Sequence, residues 1–229
     1  MTPIKPRAVS RARALISKLA NLPAACILRE MKSVSALLLI TTAALAQEKP
    51  RLETLLMLPE PREMRTERSI VPEGAQATVL TPAREIADVP GIEVYPKEDF
   101  AKLGLSPETF AERSKKTAER LLTEIKPDLI KGGDGKVAYA VYRGDRPVMA
   151  SLLIAPSLPV IFEEIFGAEI WVALPDRHSL FVFPAKPEAL EEFIADLAVR
   201  YKDDPHAASP EVFALKKGSA PRVVAAFTK

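Results

Sequence analysis

Cysteine is all but absent. The chain has 229 residues and a single cysteine, Cys26, close to its start. One thiol cannot form a disulfide within the chain, and a zinc-finger kind of thiolate site is excluded with it. Histidine is nearly as scarce, with only His178 and His206. Neither sign of charge dominates: 32 Lys and Arg stand against 30 Asp and Glu, a formal net charge of +2. Nucleic-acid binders usually carry a strong basic excess, so this balance argues against that class. No apolar run approaches the ~20 residues that a spanning helix needs. The G-x-S-x-G elbow of serine hydrolases is missing, and so is the G-x-x-x-x-G-K-[ST] phosphate loop. What is present is 48% hydrophobic and 27% charged, with 21 prolines. That composition belongs to a globular protein and excludes a wholly disordered chain, a collagen or a disulfide-rich miniprotein.

The charge is unevenly spread. Residues 1–46 hold seven basic side chains (Lys5, Arg7, Arg11, Arg13, Lys18, Arg29 and Lys32) and one acid, Glu30. The remainder holds 25 basic and 29 acidic residues, a net charge of −4. Within the basic stretch, Met31 and Lys32 precede an apolar run at 36–40, and Ala44-Leu45-Ala46 follows. A basic start, a short apolar core and a small-residue exit are the parts of a secretory signal peptide. Residues 31–46 are therefore expected to direct export, with cleavage between Ala46 and Gln47. Residues 1–30 read as an over-extended gene start or as a leader. The expected product, 47–229, is exported to the periplasm or secreted. It would carry no cysteine and no stable membrane span.

Residues 47–90 read as a tether or loosely ordered segment. Pro50, Pro59, Pro61, Pro72, Pro82 and Pro90 interrupt it. Proline withholds a backbone donor and disfavours helix at the residue before it. An apolar patch at 55–58 could still dock on the domain or begin a helix. Residues 91–229 then form the expected domain. Ser106-Pro107-Glu108 opens a helix whose apolar face is Phe110, Thr117, Ala118, Leu121, Leu122 and Ile125. Stretches 137–142 and 148–154 read as a hairpin turning at Arg143-Gly144-Asp145-Arg146-Pro147. The Arg143-Gly144-Asp145 tripeptide matches an integrin-binding sequence, but here it reads as turn chemistry. A short helix is expected at 157–166, stopped by Gly167. A second hairpin pairs 170–174 with 179–183, which places Trp171 in a strand. The stripe Leu190, Phe193, Ile194, Leu197 and Tyr201 predicts a helix over 187–201. Finally 212–215 and 222–227 pair across a turn at 216–219. Together these elements predict an α+β fold, a mostly antiparallel sheet with amphipathic helices packed on it.

Three short segments carry a resemblance. Ser151-Leu152-Leu153-Ile154-Ala155-Pro156 precedes Ile170-Trp171-Val172-Ala173-Leu174-Pro175-Asp176-Arg177. Asp204-Pro205-His206-Ala207-Ala208-Ser209-Pro210-Glu211-Val212-Phe213 follows. In this order they resemble the YtpQ-like family of uncharacterised bacterial proteins (the DUF1444 group), over roughly residues 148–217. The family tends to have asparagine where this chain has Asp176 and aspartate where it has His178. The resemblance implies a fold and a bacterial origin, and no reaction.

Both histidines fall in Asp-x-His units: Asp176-Arg177-His178 and Asp204-Pro205-His206. Two imidazoles and two carboxylates could complete a first shell for zinc or a similar ion. Residues i and i+2 of an extended chain point the same way, so each unit could offer both ligands to one side. The plainer alternative has Asp176 and Asp204 capping turns, with the histidines at the surface. A serine-hydrolase arrangement would recruit Ser179 or Ser209 to a histidine and an aspartate, without the motif that normally positions them. The candidate binding residues are Asp176, Arg177, His178, Asp204 and His206. No catalytic residue, resident metal or cofactor is assigned. The leading expectation is an exported, non-catalytic module that binds a partner protein or an envelope component. The alternatives are a periplasmic hydrolase or metal-dependent enzyme built on the two Asp-x-His units, and an intracellular interaction module.

Overall fold

The computed structural model describes residues 55–86 and 91–227. The expected leader, signal peptide and cleavage point lie outside these residues. The fold is α+β, with two antiparallel sheets and helices packed on them.

The larger sheet has six strands. In chain order they are β4 (Asp128–Lys131), β5 (Val137–Arg143), β6 (Glu169–Ala173), β7 (Ser179–Pro184), β8 (Glu211–Lys216) and β9 (Arg222–Ala226). Their spatial order is β4-β5-β7-β6-β8-β9, and every neighbouring pair is antiparallel. Side chains alternate across such a sheet with period two, and here both faces are covered. Ala140, Tyr142, Ile170, Val172, Leu180, Val182, Phe213 and Leu215 enter one core. Val141, Ala173, Phe181, Phe183 and Val212 enter a second core, which Leu190 and Leu197 complete from the opposite side. Burial on both faces explains why β7 reads as a continuous apolar run instead of alternating with polar residues. Both expected C-terminal hairpins are present, β6 with β7 and β8 with β9.

Helix α2 (Pro107–Glu124) has Ser106 as its N-cap, whose hydroxyl accepts from the Thr109 N–H at 3.2 Å. Helix α1 (Lys97–Lys102) precedes it. Phe100 and Phe110 close around Tyr95, with the Tyr95 and Phe110 rings 5.4 Å apart. The short helix expected before Gly167 is two turns, α3 (Leu158–Ile161) and α4 (Glu163–Phe166). The C-terminal helix is also split, into α5 (Pro187–Glu191) and α6 (Ile194–Asp203).

Two expectations need correction. Residues 148–154 are not a strand: Met149–Ile154 is a buried 3-10 turn, and β5 pairs instead with β4 and β7. An apolar run buried on every side does not distinguish strand from helix by periodicity. The second concerns 47–90 as a tether and residue 91 as the domain boundary. Within that segment, β1 (Leu55–Pro61) and β2 (Thr78–Glu85) are strands that join β3 (Ile92–Val94) in a three-stranded sheet. Leu55, Leu56, Met57 and Leu58 are at most 1% exposed and share one core with α2 and the 3-10 turn. The prolines fit because β1 is an edge strand, where a missing N–H costs little. Pro82 lies where the β2–β3 ladder ends, and its carbonyl accepts from the Tyr95 N–H at 3.0 Å.

Polar contacts fix this segment to the large sheet. One oxygen of the buried Glu211 carboxylate accepts from the N–H groups of Gln76 and Ala77, at 2.7 and 3.0 Å. The hydroxyls of Thr78 and Ser209 are 2.6 Å apart, and the Val223 N–H donates to the Glu73 carbonyl at 2.8 Å. Gly74 has φ +75°, and a Cβ there would stand 3.2 Å from the Val223 carbonyl oxygen. Glycine lets the backbone make that approach. Glu211→Ala leaves two N–H groups without their acceptor and is expected to cost about 2 kcal/mol. A urea titration reads this as a lower midpoint with an unchanged slope; a wild-type midpoint would show that the clasp contributes nothing.

Candidate functional site

The turn between β6 and β7 carries the first Asp-x-His unit. Asp176 is buried, and its carboxylate is fully engaged. Oδ1 accepts from the His178 N–H at 2.8 Å, and Oδ2 accepts from the Ser179 hydroxyl at 2.7 Å. The second unit lies between α6 and β8. Asp204 Oδ1 accepts from the His206 N–H at 2.6 Å. Both aspartates therefore close local turns, as short carboxylate side chains commonly do.

The two turns are laced together by backbone. The Arg177 N–H donates to the His206 carbonyl, the Ala208 N–H to Pro175 and the Ser209 N–H to Leu174, at 2.9–3.2 Å. This lacing sets the His178 and His206 rings 6.1 Å apart, centre to centre. The His178 Nδ1–H donates to the Gly144 carbonyl at 3.2 Å. The imidazoles open on a cleft of about 260 Å³ lined by Gly91, Ile92, Asp145, Pro147, Arg177, His178 and His206.

Arg177 reaches from this cleft into the protein. One of its terminal nitrogens donates to Glu60 Oε1 at 2.7 Å. Glu60 is 1% exposed and Arg177 is 19% exposed. Burial pushes the Glu60 carboxyl above the usual carboxylate range, and the charge of Arg177 pulls against that rise. The Arg177 Nε–H is buried without a hydrogen-bond partner among the described residues.

Of the residues singled out from sequence, Asp176, Arg177, His178 and His206 come together in space, with Asp204 behind His206. Their roles differ from a metal shell. Among the described residues, no group of three or more His, Cys, Asp or Glu is placed to hold a metal ion. The Ser179 hydroxyl bonds to Asp176 and the Ser209 hydroxyl to Thr78. Neither meets a histidine as a hydrolase nucleophile would need to. Sequence reasoning missed Glu60 and Asp145. Glu60 did leave a trace, as the one charge in the strand Leu-Leu-Met-Leu-Pro-Glu-Pro. Asp145 sat in a tripeptide read as turn chemistry.

Among the described residues, no helix is long and apolar enough to cross a membrane. Comparisons of the chain with protein-family models, with curated proteins and with solved structures find no match.

Proposed function

We propose that this chain is an exported, non-catalytic binding module of the bacterial envelope, and that the cleft between His178 and His206 is its ligand site. One observation carries the reading: both histidines and Arg177 meet at a single cleft while both aspartates are spent on closing turns. A histidine base usually has a carboxylate to orient it. Here Asp176 and Asp204 accept from N–H and hydroxyl groups of their own turns, and the His178 Nδ1 faces the Gly144 carbonyl instead. The double-sided sheet holds the two turns on rigid elements, which suits recognition. Export rests on the signal-peptide pattern of residues 31–46. The resemblance to YtpQ-like proteins covers both turns and implies no reaction.

Two measurements test the proposal. Expression of the full gene with a C-terminal tag should give a periplasmic product whose N-terminal residue is Gln47. A start at Met1 or Met31 refutes export. A thermal-shift panel of small anions, cations and neutral solutes should find stabilising ligands whose effect disappears in His206→Ala. Ligands that stabilise wild type and His206→Ala equally would place the site elsewhere.

A further inference from the structure

We infer that the ligand of this cleft is a small oxyanion, held through a carboxylate or phosphate group by Arg177, His178 and His206. This rests on the cleft being the binding site and adds the chemical class of what it binds. The sign of charge follows from which groups remain unspent. Arg177 presents five N–H donors in a planar fork that matches a carboxylate or a phosphate. Glu60 takes one terminal nitrogen, and the buried Nε–H has no partner among the described residues. A permanent guanidinium in the wall repels a metal ion or an ammonium group. Of the carboxylates that could oppose it, Asp176 accepts from His178 and Ser179, and Asp204 from the His206 N–H. Glu60 gives Oε1 to Arg177 and keeps a buried Oε2 without a hydrogen-bond partner among the described residues. Asp145 is an exposed carboxylate at the mouth.

The size of the ligand follows from the space. A cleft of about 260 Å³ equals roughly nine waters at ~30 Å³ each. It falls just under the ~300 Å³ at which drug-sized pockets begin. Phosphate, a phosphomonoester of a small alcohol or a short dicarboxylate fits that volume.

The geometry also ties binding to protons. Because the Nδ1–H of His178 faces the Gly144 carbonyl, its Nε2 is an acceptor in the neutral ring and becomes a donor only when the ring is protonated. An oxyanion therefore favours the charged imidazole. The charged groups around the rings are Arg177 and Asp176 from the β6–β7 turn, Asp204 from the second turn, and Asp145 and Arg146 from the loop after β5. Arg146 is already paired with Glu85 at 2.6 Å. Among the described residues, Asp145 is thus the exposed carboxylate of the cleft lining that competes with a bound anion.

Titration calorimetry on the full chain tests this, with sulfate, inorganic phosphate and succinate as probes and sodium chloride as the ionic-strength control. Saturable one-site binding of an oxyanion above the chloride control is expected. His206→Ala, an exposed position, should weaken binding about tenfold through loss of one charge-assisted hydrogen bond. Asp145→Asn should tighten it. Circular dichroism confirms that both variants remain folded. Phosphate bound well above succinate assigns a phosphate ligand, and the reverse assigns a carboxylate; either supports the inference. Absence of saturation by all three oxyanions overturns it. If methylammonium or methylguanidinium saturates instead, and His206→Ala abolishes that binding, the cleft remains the site and the oxyanion is wrong. If no probe of either sign binds, both readings fall.

Discussion

A chain that starts at Gly91 will not fold. Residues 91–229 retain all six strands of the large sheet, so the remaining sequence looks like a domain. What they lose is the partner of one of its two cores. Leu55, Leu56, Met57, Leu58, Val79 and Ala83 are at most 1% exposed. The β1 residues among them pack in the core that holds Phe110, Leu121, Leu122 and the 3-10 turn. Burying a Leu or Met side chain contributes about 1.5–3 kcal/mol. Even at the lower figure, the four apolar residues of β1 account for about 6 kcal/mol, against a total stability of roughly 5–15 kcal/mol for a domain. Removal also exposes the apolar face of α2, which invites aggregation. Circular dichroism and size-exclusion chromatography of residues 91–229 should show no cooperative melt and material in the void volume. The full chain should melt in one transition. A monomeric 91–229 fragment with the melting temperature of the full chain would refute this account.

That expectation inverts what the sequence suggests, and the inversion has a physical cause. Proline density makes 47–90 look unable to form regular structure. The strands escape because Pro59 and Pro61 lie on an edge strand, and Pro82 lies where a ladder ends. Neither circumstance can be read without knowing the pairing. Elements with local causes were legible. Helix α2 has its own cap and stripe, and the β6–β7 and β8–β9 hairpins are close in sequence. The run 187–201 was legible as helical, but not its interruption near Phe193, whose ring packs on Tyr139 at 4.7 Å. The cleft was half legible. Asp176, Arg177, His178 and His206 stood out as scarce residues in repeated units. Their meeting depends on backbone bonds between turns some 30 residues apart, and the partner of Arg177 is 117 residues away. No local pattern encodes such a contact.

Arg177→Ala is expected to be the most damaging single substitution in the cleft. Removing one partner of a buried ion pair typically costs about 3–5 kcal/mol, because the other charge is left without compensation. Glu60, on β1 and opposite Val79 in β2, cannot turn to water without breaking the strand that bears it. Its carboxyl already sits above the ordinary range because of burial, with Arg177 opposing. In Arg177→Ala the opposition disappears and the value moves further up. The native state then holds a proton that the unfolded chain has released, starting from the ordinary glutamate value of about 4.3. Stability therefore falls as pH rises from there through the raised native value. The deficit against wild type should be small near pH 4–5 and reach its full size above the native value of Glu60. Adding Glu60→Gln to Arg177→Ala replaces the ionisable group with a neutral amide, so the pH trend should vanish and part of the stability should return. Urea denaturation of the three proteins at acidic and neutral pH measures both effects. A deficit that is the same at every pH would mean that Arg177 supports the fold through packing alone, leaving Glu60 neutral behind it. Arg177 would then stand in the cleft as a guanidinium without a counter-charge.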